Sequence, residues 1–278
     1  MVGSGMAGLA CPPNDTVTGT AAPDCLIDLP CEDDPAKTCE VNVCGGNAAG
    51  IGQGTGTGAG GGATTGGSGG GVVDVTGSIV ALTSATFDES VAYGGPITVI
   101  AEGAGVSYVE AATLNGTFAL AGAAAGLRWV LAKDGDGGAG GAFSTYSLQD
   151  LDGVTSLVLP VISVDVLEDV ATDLMVPSLT AGSAHLVMRV EDENGFALDG
   201  VELAGLAGAT VGYDLAPGQY GSDGTTGGLG IAVALNVQVA ARGTVSVTMT
   251  FEGVDYLVPL AIAPDTVTYG LVTLETTP

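Results

Sequence analysis

The single imidazole of the chain, His185, is the first residue to weigh for catalysis, because His is the usual general base near neutral pH. It opens the run His185-Leu186-Val187-Met188, and two-residue alternation sets it opposite the Leu186/Met188 face, so an exposed position is expected. No neighbouring residue is spaced to orient it. A Ser-His-Asp set would have to use this one histidine, and no G-x-S-x-G elbow is present. All five cysteines precede residue 45, so the later segments hold neither a thiol nucleophile nor the Cys and His ligands of a zinc enzyme. A glycosidase carboxylate pair is defined by separation in space, and sequence spacing selects none. The chain reads as a non-enzyme.

Oxygen ligands for a hard cation are better represented. Asp134 and Asp136 flank a glycine, and Glu191, Asp192 and Glu193 crowd one turn with Asn194, so both loops are candidate Ca²⁺ sites. Neither follows the twelve-residue EF-hand pattern, and solvated acidic turns explain both equally well. No other cofactor is suggested.

Cys25, Cys31, Cys39 and Cys44 lie in a short acidic segment with almost no apolar core of its own, where covalent links could hold the shape. Two disulfides are expected, with three pairings open. Their spacing is looser than that of paired zinc ligands, although the acidic surroundings would suit a metal. Gly8-Leu9-Ala10 before Cys11 resembles the end of a bacterial lipoprotein signal, which would make Cys11 a lipidation site and the protein an exported, outer-membrane or cell-surface one. On this reading the membrane is reached only through that lipid. No run of 18 apolar residues is present to cross it as a helix.

Composition narrows the partners further. Five Lys and Arg stand against 31 Asp and Glu, a formal charge of -26 that repels nucleic acid phosphates and anionic headgroups. A halophile's acidic coat is the alternative origin of that charge. Residues 45–71 are mostly glycine, bury nothing and lack the GK[ST] ending of a phosphate loop, so they read as a flexible linker.

From Val72 onward short β-prone runs alternate with turn residues. The central stretch, TLNGTFALAGAAAGLRWVLA from Thr113 to Ala132, sets Asn115-Gly116 before a strand holding Phe118 and Leu120 on one face. After a Gly126 corner, Leu127, Trp129 and Leu131 share a face expected to be core, with Arg128 pointing to solvent. No run with a 3.6-residue period is visible, and Pro177 breaks the connector. Val245, Val247, Met249 and Phe251 alternate with Thr and Ser as a half-buried strand, and Pro259 marks the next strand as an edge or a bulge. The expected organisation is a Cys-containing segment 1–44, a linker 45–71, an all-β sandwich 72–168, a connector 169–183 and a second sandwich 184–278.

The segments GSIV, GGPITVIAEG and ATLNGTFALAGAAAGLRWVLA resemble the carboxypeptidase regulatory-like, transthyretin-like β-sandwich family, and VEDENGFALDGVEL resembles it more loosely. Both are similar to surface lipoproteins of myxobacterial type. The resemblance implies Ig-like or transthyretin-like folds serving as spacer, adhesion or carbohydrate-binding modules, with no shared catalytic residues. A surface protein or a polysaccharide is the implied partner, and self-assembly is compatible with it. For a sugar, Tyr93, Tyr108, Tyr146, Tyr213 and Tyr220 are the candidate ligand-facing rings, each beside small or polar neighbours.

Overall fold

The computed structural model describes residues 71–103, 108–135, 141–154 and 156–274, together with the backbone of 26–31 and 34–42. The strands are β1 (Leu26–Cys31), β2 (Asp34–Asn42), β3 (Val72–Leu82), β4 (Ser90–Ala92), β5 (Ile97–Glu102), β6 (Tyr108–Ala112), β7 (Thr117–Ala124), β8 (Leu127–Asp134), β9 (Ala142–Asp150) and β10 (Ser156–Ser163). After a helix, α1 (Val164–Asp173), come β11 (Ala184–Asp192), β12 (Glu202–Ala204), β13 (Thr210–Ala216), β14 (Gln219–Gly221), β15 (Ile231–Val237), β16 (Gly243–Phe251), β17 (Val254–Ile262) and β18 (Thr266–Leu274). Among the described residues the fold is all-β apart from that one helix.

In the first half β7 and β10 flank β3, while β6, β5, β8 and β9 follow one another in antiparallel order. Their facing sides enclose a core of Ile79, Val99, Leu120, Val130, Leu159 and their neighbours. In the second half β11 lies between β15 and β18, and the three-stranded sheet β12-β16-β17 covers one of its faces through Leu186, Met188, Val247, Met249 and Leu260. The two halves share hydrogen bonds: β18 runs parallel against β9, from Thr266 opposite Ser144 to Tyr269 opposite Ser147.

Several local signals hold. Thr117 to Leu120 alternates exposed and buried, and Asn115-Gly116 forms a two-residue hairpin with both φ angles positive, 52° and 75°. Glu252-Gly253 turns β16 into β17 in the same way, with φ of 51° and 81°. Pro259 sits on the outer strand of its sheet, where a missing N–H breaks no ladder.

Three expectations are corrected. First, a helix occupies residues expected to form the end of a strand and a connector. Val166, Leu167, Val170 and Ala171 form a buried stripe on α1, continued by Leu174 just past its end, a pattern of about two turns that strand alternation next to it conceals. Second, His185 is not exposed but only 2% accessible, because β11 is covered on both faces, by the three-stranded sheet and by the layer around α1. Third, the expected disulfides are not formed: none is present among the described residues. On the β1–β2 ladder Cys31 stands opposite Asp34 and Cys39 opposite Leu29, so these two are not cross-strand partners. Diagonal positions lie ~7–8 Å apart, beyond the usual reach of a disulfide. Nothing among the described residues supports the expected lipoprotein signal or outer-membrane placement. Cys11, Cys25 and Cys44 lie outside the described residues. Among the described residues no helix is long and apolar enough to cross a membrane.

Candidate functional site

Strands β8 and β9 pair so that Leu131 faces Tyr146 and Trp129 faces Leu148. Antiparallel partners share a sheet face. The Leu127/Trp129/Leu131 face of β8 therefore continues across β9, and the β16–β17 hairpin rises beside it. Between them run two adjoining hollows of about 490 and 410 Å³, which have Tyr146 and Arg242 in common. Lys133, Ser144 and Thr266 line the first; Tyr108, Trp129 and Pro259 line the second. Trp129, expected in the core, is half-buried here.

Arg242 precedes β16 and extends over the rings from the other half. Its guanidinium carbon is 4.2 Å from the Tyr108 ring centre and 5.7 Å from that of Tyr146, both within cation–π range. Tyr146 is 1% exposed, and its hydroxyl is buried without a hydrogen-bond partner. Burial raises the pKa of this phenol, a shift that the nearby Arg242 charge partly opposes, so it remains a neutral donor. Arg128 meets Glu102 at 3.7 Å, whereas neither Lys133 nor Arg242 has a carboxylate within ion-pair distance among the described residues. The turn at the floor is held internally: Asp265 accepts the Gly182 N–H at 2.6 Å, and the Thr266 hydroxyl donates to the Ala263 carbonyl at 2.8 Å.

The candidate aromatic residues divide. Tyr108 and Tyr146 meet in this groove. Tyr213 and Tyr220 lie in the core, where Tyr213 Oη accepts the Leu203 N–H at 2.9 Å and the Tyr220 hydroxyl donates to the Ala85 carbonyl at 2.5 Å. Tyr93 is half-buried against the first-half core. Of the acidic candidates, Asp134 is buried at the rim of the groove and Asp136 lies outside the described residues. Asp192 accepts the backbone N–H groups of Asn194 and Phe196, which lower its pKa, with the Phe196 bond contributing most. Glu191 pairs with Arg189 at 2.7 Å, and Glu193 belongs to the same turn. No group of three or more His, Cys, Asp or Glu is placed to hold a metal ion among the described residues.

No catalytic set is assembled among the described residues. His185 Nδ1 accepts the Asn236 N–H at 3.2 Å, its ring meets Phe143 edge-on at 5.6 Å, and burial depresses its pKa to about 4. An imidazole so enclosed has no reacting group within reach. Arg242 and Lys133 were missed from sequence, and their only signal is the scarcity of basic residues.

Fold and groove together define an all-β module with an aromatic and ionic cleft. No family model matches the chain, and no curated protein matches it by sequence. Among solved structures, a streptococcal ancillary pilin aligns over 74% of this chain and 70% of its own at 11% identity and a TM-score of 0.22. The Bacillus anthracis TIE protein aligns over 74% of this chain and 34% of its own at 12% identity and a TM-score of 0.21. Likeness at this level transfers neither a fold identity nor a role.

Proposed function

We propose that the protein is a non-catalytic cell-surface interaction module that holds a polysaccharide segment in the Tyr108–Trp129–Tyr146 groove. The observation that carries this is the convergence of three aromatic side chains with Arg242 in one solvent-open cleft. Sugars are held by apolar ring faces stacked on aromatic rings and by hydroxyls bonded to ionic and polar side chains, and the groove offers both. Two transthyretin-like sandwiches, at 72–168 and 184–278, would form the rigid body, with the glycine-rich 45–71 as the spacer that presents it.

Trp129 is the only tryptophan and lines the groove, so its emission reports occupancy directly. Titrating the full chain with a panel of oligosaccharides is expected to shift or quench that emission saturably for at least one class. Tyr108→Ala is expected to weaken the same response. An emission that stays flat across neutral and charged panels would leave only the spacer role.

A further inference from the structure

Resting on that reading, we infer that the groove is specific for a carboxylate-bearing saccharide, a uronic-acid polymer, with Arg242 and Lys133 as its carboxylate receptors. The chain has five basic residues, and three of them, Arg128, Lys133 and Arg242, line these two hollows. Arg128 is engaged by Glu102. Among the described residues Arg128 and Arg189 pair with carboxylates, whereas Lys133 and Arg242, both at the cleft, have no carboxylate within ion-pair distance. Folding stability does not explain Arg242, which is exposed and touches only ring faces among the described contacts. The guanidinium carbon lies 4.2 Å from the Tyr108 ring centre, and a guanidinium offers a planar N–H fork suited to bidentate bonds with a carboxylate.

The hydroxyl of Tyr146 supplies the second, independent pointer. A buried phenol without a partner destabilises the free protein unless a ligand completes it, and a sugar hydroxyl or ring-borne carboxylate is the right acceptor. Asp134 and Asp265 line the first hollow and Glu102 the second, but Glu102 meets Arg128 and Asp265 accepts the Gly182 N–H, and charges of the chain beyond ~8 Å are screened at physiological ionic strength. An extended acidic peptide fits less well. One way such a peptide binds is by adding a strand; β8 and β9 are hydrogen-bonded on both sides and Pro259 on the outer strand β17 has no N–H, which leaves β6, paired only with β5, as the remaining groove-side edge.

The test compares binding of tetragalacturonate, maltotetraose, cellotetraose and a tetraglutamate peptide to the full chain by calorimetry and Trp129 emission. The uronate is expected to bind at least tenfold more tightly than either neutral tetramer. Arg242→Gln is expected to lower uronate affinity about tenfold or more and neutral-sugar affinity by a smaller factor, so that the preference for uronate over the neutral tetramers falls, in keeping with the loss of a charge-assisted pair. Lys133→Gln, at an exposed position, is a second variant with the same expected direction. Equal affinity for uronate and neutral tetramers, or uronate binding unchanged in both variants, would overturn the carboxylate inference and leave the groove a sugar site. Binding of no saccharide would remove the sugar reading as well. Tighter binding of tetraglutamate than of uronate would assign the cleft to an acidic peptide instead.

Discussion

The guanidinium carbon of Arg242 lies 4.2 Å from the centre of the Tyr108 ring, a contact between the segment preceding β16 and the start of β6. Exposed cation–π pairs contribute only ~0.5–1 kcal/mol, so this one adds little to the stability of the fold. Its consequence is positional: it sets a cation and an aromatic face side by side at the mouth of a cleft. Arg242→Gln is therefore expected to change the folding free energy by less than about 1 kcal/mol in urea denaturation, even where ligand affinity falls sharply.

Tyr146→Phe separates binding from stability more directly. Removing a buried hydroxyl without a partner should stabilise the free protein by about 1 kcal/mol, because the desolvation cost of that group disappears. The same change should weaken saccharide binding. A thermal midpoint that falls would mean that the hydroxyl has a protein partner in solution.

Stability should depend on His185 through pH. Its folded pKa is about 4, lowered by burial, against about 6.5 in the unfolded chain. Above pH 6.5 both states are neutral and the full stability is present. As pH falls from 6.5 to 4 the unfolded chain takes up the proton first, and about 3 kcal/mol is lost. His185→Asn keeps an acceptor near the Asn236 N–H but does not titrate, so its urea midpoint should fall less over that interval. Parallel pH profiles for the two proteins would show that the imidazole is protonated equally in both states.

Asp214 holds the loop that enters β15. Only 2% exposed, it accepts the N–H groups of Gly227, Leu229 and Ile231 at 2.8 to 2.9 Å. Asp214→Ala would leave three amides without acceptors and is expected to cost ~3–5 kcal/mol, read from denaturant unfolding. A cost below 1 kcal/mol would mean that water replaces the carboxylate.

The hairpin between β6 and β7 can be tested against the one between β16 and β17. Gly116 has a φ of 75°, and a Cβ there would press into the Tyr93 carbonyl oxygen, so Gly116→Ala should destabilise by ~2 kcal/mol or more. Gly253 has a φ of 81° with open space around it, and Gly253→Asn should cost less than about 1 kcal/mol. Equal losses at the two sites would remove the steric distinction.

How much of this could be read from the chain follows from the range over which each signal acts. The Thr117–Leu120 alternation, the Val247/Met249 face of β16 and the Asn115-Gly116 turn are local, because two-residue periodicity and positive φ are properties of adjacent residues. The apolar stripe of α1 is also local, but at ten residues between strands it is shorter than the pattern needed to distinguish it.

Alternation says which residues share a face and nothing about what covers that face. His185 is therefore buried, although its strand neighbours alone leave it free, and Trp129 is half-exposed although its phase matches Leu131. The groove belongs wholly to the tertiary level. Tyr108, Trp129, Tyr146 and Arg242 come from four segments, and no spacing relates them. The amino-acid sequence alone determined an all-β chain, its hairpins, its acidity and its shortage of basic residues. Only the packing of the β16–β17 hairpin beside β8 and β9 decided where three of those few cations would stand, because sheet layers meet through side chains far apart in the chain.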